Sequence, residues 1–139
     1  MGFFTGLLES SVRLNADLTA EENLRYLQTL EQVSVSRQEL HRRLSEFQLD
    51  TYSSVPVRYL SKGQQRKASL LLSMFTRRRI LLLDEPTEGL DDHALQTFEH
   101  WLRITKYGRV VILSTHDLSF AKRISDQILV LDEHGIKSG

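Results

Sequence analysis

Apolar residues follow two rhythms along the 139-residue chain, and the change from one to the other divides it. In the front half they recur at helical spacing. Thr19 and Glu22 are placed as a capping box ahead of Leu24, Leu27 and Leu30, and Ser36 and Glu39 as a second box ahead of Leu40, Leu44 and Phe47. Both segments predict amphipathic helices that need a surface to cover. Residues 50–59, around Pro56, predict an irregular connection, after which Ser61 caps a third helix running through Ala68 to Phe75. Arg77, Arg78 and Arg79 follow at its C-terminal end, where cations set against the helix dipole explain the triplet better than a docking patch does.

From Ile80 onward, short continuous apolar runs take over. Ile80-Leu81-Leu82-Leu83 has the length of a strand buried on both faces, and it stops abruptly at Asp84-Glu85-Pro86. A helix from about Asp91 to Tyr107 turns Leu95, Phe98 and Leu102 inward, with Gly108 as its stop. Arg109 to Ser114 contains a second buried strand, Val110-Val111-Ile112-Leu113. Asp117 caps a short helix carrying Phe120 and Ile124, and Gln127 to Leu131 predicts a third strand closing in a turn at Glu133-His134-Gly135. Strands separated by helices predict parallel βαβ units, so the fold class is α/β with a helical front. The chain has no internal repeat and no low-complexity segment.

Composition narrows the class of partner. Lys plus Arg equal Asp plus Glu at 18 each, so no net charge draws the chain toward nucleic acid or anionic lipid. Cysteine is absent, which removes disulfides and cysteine zinc sites. No apolar stretch has the length of a membrane-spanning helix. The start, Met-Gly-Phe-Phe-Thr-Gly-Leu-Leu, has no basic region and meets Glu9 too early for a signal peptide, and Gly6 breaks the myristoylation pattern. These features lead us to expect a soluble globular chain.

Four motifs in fixed order carry the chemistry. Leu60-Ser61-Lys62-Gly63-Gln64 opens a helix, whose free N–H groups and dipole favour an anion; Ser61 adds a hydroxyl, Lys62 a charge, and Gly63 permits close backbone approach. Two carboxylates at a sheet rim repel each other unless a cation or water network uses them, so one of Asp84 and Glu85 can hold Mg²⁺ through water while the other orients an attacking water. The C-terminal rim is also where open α/β sheets bind ligands. Glu88-Gly89-Leu90-Asp91 then leads into the next helix, and Ser114-Thr115-His116-Asp117 sets a histidine at the tip of the neighbouring strand. Taken alone such a histidine reads as structural, but beside a carboxylate-bearing strand it becomes a phosphate or water contact.

In order and spacing the chain resembles the ATP-binding cassette (ABC) ATPase family. Ser61-Lys62-Gly63-Gln64 resembles its signature motif, Ile80 to Glu85 its Walker B strand, Glu88 to Asp91 its D-loop and His116 its switch histidine. Leu18 to Leu24 resembles the start of that family's helical subdomain, and Ile128 to Gly135 its last strand and turn. Gly2-Phe3-Phe4-Thr5-Gly6 further resembles cassettes of ABC-2-type and sodium-export systems. The resemblance implies a partial P-loop NTPase fold with a Q-loop-like segment at 1–15, a helical subdomain at 16–76 and the rear of a parallel sheet at 77–139. It implies that Asp84 supports Mg²⁺, that Glu85 is the catalytic base, and that His116 contacts the γ-phosphate. It also implies that Ser61, Lys62, Gly63 and Gln64 grip ATP held by an opposite protomer, and that Asp91 communicates between the two sites of a head-to-tail dimer. The implied partners are a second ATPase subunit and a membrane permease, with the chain peripheral at the inner, cytoplasmic face.

Two departures from the family pattern shape the expectation. None of the seven glycines begins Gly-x-x-x-x-Gly-Lys-Ser/Thr: Leu7 stands where Gly2 would need its second glycine, and Ser11 where Gly6 would. The aromatic residue that stacks on adenine would also lie upstream, and Gly6 stands at the Q-loop glutamine. Lys62 replaces a glycine, at a cost of about 1 kcal/mol or more if that backbone is left-handed. The 139 residues are therefore expected to bind Mg·ATP poorly, to be inactive by themselves, and to need a partner such as a separately encoded N-terminal cassette half. The alternatives are a degenerate cassette that regulates a partner ATPase, and an ABC ATPase working away from membranes in DNA maintenance or translation.

Overall fold

A computed structural model of the chain describes residues 12–133 and 135–139. The expectations for the Gly2–Gly6 segment, for Gly6 and for His134 lie outside these residues. The first helix, α1 (Ala20–Glu31), opens on the expected capping box: the Thr19 hydroxyl accepts from the Glu22 N–H at 3.2 Å, and the Glu22 carboxylate accepts from the Thr19 N–H at 2.8 Å. These bonds from Thr19 hold the Glu22 carboxyl below its ordinary range. Leu24 and Leu27 are buried, whereas Leu30 is 62% exposed. Successive steps of three residues fall short of a full turn by about 60° each, which carries the third leucine off the buried face.

Helix α2 (Arg37–Glu46) has only half of its expected box. Ser36 accepts from the Glu39 N–H at 3.1 Å, but the Glu39 carboxylate turns away to Arg42 at 2.7 Å and Arg43 at 3.0 Å. Charge-assisted bonds to two guanidiniums outcompete one neutral amide. Two 3₁₀ turns, Asp50–Tyr52 and Val57–Tyr59, form the irregular connection. Helix α3 (Lys62–Ser73) stops before Phe75, which leaves Arg77, Arg78 and Arg79 beyond its last turn, out of reach of the dipole. The dipole explanation of the triplet is thus corrected: Arg78 Nε instead bonds Glu31 Oε1 at 2.8 Å and ties the segment to the end of α1.

Strand β1 (Ile80–Asp84), helix α4 (Asp92–Thr105) and strand β2 (Val110–Ser114) form a βαβ unit. The two strands are parallel, with Ile80 opposite Val110, Leu82 opposite Ile112 and Asp84 opposite Ser114. Helix α5 (Leu118–Ile124) follows, capped by Asp117 through the Phe120 N–H at 2.9 Å. The third strand, β3 (Leu129–Asp132), does not join this sheet among the described residues. It pairs antiparallel with β4 (Gly135–Ser138), a strand the sequence reading did not foresee. Pairing across a short turn satisfies its backbone with little loop entropy.

One apolar core runs from Leu24 through Leu40, Leu44 and Leu71 to Leu81, Leu83 and Phe98. Phe98 is 0% exposed and stacks on Trp101 and Phe120, with ring centroids 5.8 and 6.3 Å away. On the opposite face of the sheet the described residues leave Ile112 58% exposed beside Ile80 and Val110. No helix among the described residues is long and apolar enough to cross a membrane. Phe98→Ala is expected to lower unfolding free energy by about 3–5 kcal/mol, and Leu30→Ala by under about 0.5 kcal/mol. Urea denaturation of the two variants measures this, and equal losses would contradict the placement of the core.

Candidate functional site

Both strands of the parallel pair end at the same level, and the residues just beyond them converge. The Ser114 hydroxyl donates to the Asp84 carboxylate. The Glu85 N–H donates to the Ser114 carbonyl at 3.0 Å and is 3.3 Å from its hydroxyl, so β2 holds the first residue past the end of β1. His116 closes the group: its Nε2 is 3.2 Å from Glu85 Oε1, and its N–H is 3.4 Å from Oε2. The imidazole side chain is 98% exposed, so none of the described residues covers its outer face. Asp84, Glu85 and His116 therefore share one sheet rim, as their places in the sequence predicted.

Glu85 departs from ordinary backbone geometry. Its φ is +44°, in the left-handed region that a residue with a Cβ adopts at a cost of about 1–3 kcal/mol. Among the described residues, no group of three or more His, Cys, Asp and Glu side chains could by itself hold a metal ion. A cation held at Asp84 would have to take most of its ligands from outside these side chains, as Mg²⁺, which keeps several waters, can.

At the N-terminus of α3, Ser61 and Gln64 satisfy each other. The Ser61 hydroxyl accepts from the Gln64 N–H at 3.2 Å, and Gln64 Oε1 accepts from the Ser61 N–H at 2.8 Å. Sequence reasoning had given Gln64 only a ligand to hold; the capping box is a second task. Lys62 carries none of the strain that a left-handed backbone there would have brought, because the described non-glycine residues with positive φ are Gln32, Gln48 and Glu85 alone. Gly63 likewise has no positive φ, and a Cβ built on it meets nothing within 4 Å. Neither conformation nor packing among the described residues calls for glycine there, although glycine in a helix costs roughly 0.5–1 kcal/mol relative to alanine.

No hydrogen bond or ion pair among the described residues joins Ser61, Lys62, Gly63 or Gln64 directly to the strand-tip group. Two cations further along α3 make the link instead. Arg66 donates through Nη1 to Glu88 at 2.6 Å and through Nη2 to the Glu85 carbonyl at 2.9 Å. Lys67 bonds the carboxylate of Asp91, whose other oxygen caps α4 by accepting from the Ala94 N–H at 3.0 Å. Sequence reasoning missed both residues. The available signal was that neither has an acidic residue three or four places away on its own helix, so both had to find partners elsewhere.

Lys67 first, and then the Ala94 amide, hold the Asp91 carboxyl below its ordinary range. A depressed native pKa gives stability that is present above the unfolded value, near 3.9, and is lost as pH falls through it toward the native value. Asp91→Asn keeps an N-cap while removing the charge. Wild type is expected to lose stability more steeply than this variant from roughly pH 5 downward, the two curves converging at the acid end. Urea denaturation at stepped pH measures it, and parallel curves would remove the pairing from the account.

Residues 7–121 match the family model described as "AAA domain, putative AbiEii toxin, Type IV TA system". The chain is 39% identical over 90 residues to the Nod factor export ATP-binding protein I of Sinorhizobium fredii, a match covering 64% of this chain and 26% of that protein. It is 33% identical over 122 residues to the cholesterol transporter ABCA5 of Homo sapiens, covering 86% of this chain and 7% of that one. A solved ATP-binding subunit of an ABC transporter superimposes with a TM-score of 0.76 at 29% identity, covering 96% of this chain and 57% of the solved one. The chain thus spans about a quarter of the first relative's length and less than a tenth of the second's. With the family model matched over most of its length and the solved subunit's fold reproduced, the chain belongs to the ATP-binding cassette ATPases.

Proposed function

We propose that residues 1–139 form the part of an ABC transporter ATP-binding subunit that carries the signature motif, the Walker B carboxylates and the switch histidine. They act on ATP when polypeptide outside them supplies the phosphate loop, because no Gly-x-x-x-x-Gly-Lys-Ser/Thr occurs among them. The observation that carries this reading is the meeting of Asp84, Glu85 and His116 at one sheet rim, with His116 Nε2 3.2 Å from Glu85 Oε1.

Each residue then has a task. Glu85 takes the proton of the attacking water, and His116 orients that carboxylate while its exposed face meets the γ-phosphate. Asp84, exposed and already steadied by the Ser114 hydroxyl, fits a magnesium ion that keeps most of its waters. When bound, that ion neutralises charge on the phosphates. Ser61, Lys62, Gly63 and Gln64 grip the phosphates of ATP held by an opposite protomer, and the open space at Gly63 supports this, since a backbone with nothing against it leaves room for a ligand. Asp91 links the two sites of a head-to-tail dimer. The division near residue 76 separates the helical part, which meets the opposite ATP, from the sheet part, which carries the base. A permease at the membrane's inner face is the further partner, in keeping with the export and transporter relatives.

The test is made on the complex recovered from its native cells through a tag on this chain. Glu85→Gln is expected to lower ATP turnover by about 100-fold or more while leaving nucleotide affinity within about twofold. Turnover like wild type would end the assignment of Glu85 as base. Gly63→Ala is expected to stabilise the isolated chain by roughly 0.5–1 kcal/mol, yet to weaken nucleotide binding by the complex about tenfold. Unchanged nucleotide binding would place Gly63 outside the site.

A further inference from the structure

We infer that Arg66 is a positioning residue that holds Glu85 in its working conformation and makes that conformation depend on helix α3; the inference rests on the reading of Glu85 as base. Glu85 has a left-handed φ of +44°, and in that conformation its side chain faces His116. Two bonds keep it. From the side of β2, Ser114 accepts from the Glu85 N–H at 3.0 Å. From the side of α3, Arg66 Nη2 donates to the Glu85 carbonyl at 2.9 Å.

The same guanidinium fastens the loop that follows. Its Nη1 bonds Glu88 at 2.6 Å, and the Glu88 N–H in turn donates to the Glu85 carbonyl at 3.2 Å. The Glu85 carbonyl thus accepts from Arg66 and from the turn that Arg66 also closes. A planar fork reaches a carbonyl and a carboxylate from two separate nitrogens in fixed directions, whereas an ammonium must serve both from a single point. Lys67, beside Arg66, fastens the far end of the loop at Asp91.

These contacts tie the base to the other end of the same helix. Arg66 lies one turn past Gly63, on a helix whose first turn carries Ser61 and Gln64. A phosphate drawn to that first turn pulls on a helix already bonded to the Glu85 carbonyl. Occupation of one face of the subunit therefore sets the alignment of the base on another, and the direct bond between helix and base is made by Arg66. Neither Ser61 nor Gln64 needs to touch the strand-tip group for this to work.

The test uses the native complex, with ATP turnover, KM, and hydrogen exchange of the peptide spanning residues 84–91. Arg66→Ala is expected to lower kcat about tenfold with KM within about twofold, and to speed exchange in that peptide while α3 itself is unchanged. Arg66→Lys is expected to recover part of the turnover, and Glu88→Gln to lose about threefold, since one of the two anchors remains. Turnover of Arg66→Ala within twofold of wild type overturns the inference, as does a rise in KM at constant kcat or faster exchange throughout α3. Glu85→Gln separates the two levels. If it abolishes turnover while Arg66→Ala does not, only the role of Arg66 falls; if it turns over like wild type, the reading of the base falls and this inference with it.

Discussion

Parallel pairing of β1 with β2 sets Asp84 opposite Ser114, and the candidate site follows from that register. Leu81 and Leu83 point into the core, so the next residue on the same side of the strand is Glu85, already beyond the rim. A slip by one residue would turn Leu81 and Leu83 outward and bring Ile80, Leu82 and the Asp84 carboxylate to the buried side. Burying an unpaired carboxylate costs several kcal/mol or shifts its protonation, so the apolar run and the acid that ends it specify one register between them. The charge at the rim and the leucines in the core are two consequences of the same alignment.

Strain at Glu85 is the other side of that arrangement. The following residue is Pro86, which is buried, and a residue before proline is biased toward extended backbone. A left-handed φ at such a position does not arise from local preference. It is imposed from outside, by Ser114 on the neighbouring strand and Arg66 on α3. Strain located at a candidate base and absent at Lys62 argues that the rim, rather than the helix start, is where the chain gives up stability for geometry.

Features set by neighbours in sequence were legible in the sequence. The Thr19–Glu22 box, the Ser61 and Asp117 caps and the strand at Ile80 to Asp84 depend on residues within a turn of one another, and the structure has all of them. Features set by distant competition were not. Glu39 left its box because two arginines offered stronger bonds, and Arg78 found Glu31 across 47 positions of chain instead of a helix dipole. Asp84, Glu85 and His116 could be placed together because each ends, or follows the end of, a strand whose length was readable. Arg66 and Lys67 could not, since nothing local states which loop a helix will face.

The bare side of the β1–β2 sheet connects assembly to chemistry. Parallel sheets are stable with both faces covered, yet Ile80, Val110 and Ile112 are exposed on one side, with Leu82 among them and only partly covered. Fully burying one aliphatic side chain is worth about 1.5–3 kcal/mol, so covering this half-exposed row supplies several kcal/mol. That is a large share of the roughly 5–15 kcal/mol that holds a domain folded. A polypeptide that brought a phosphate loop to the rim from this side would therefore stabilise the sheet by the same act, because the rim and the bare face belong to the same two strands. Folding of the sheet, register at Asp84 and completion of a nucleotide site would then draw on a single interface.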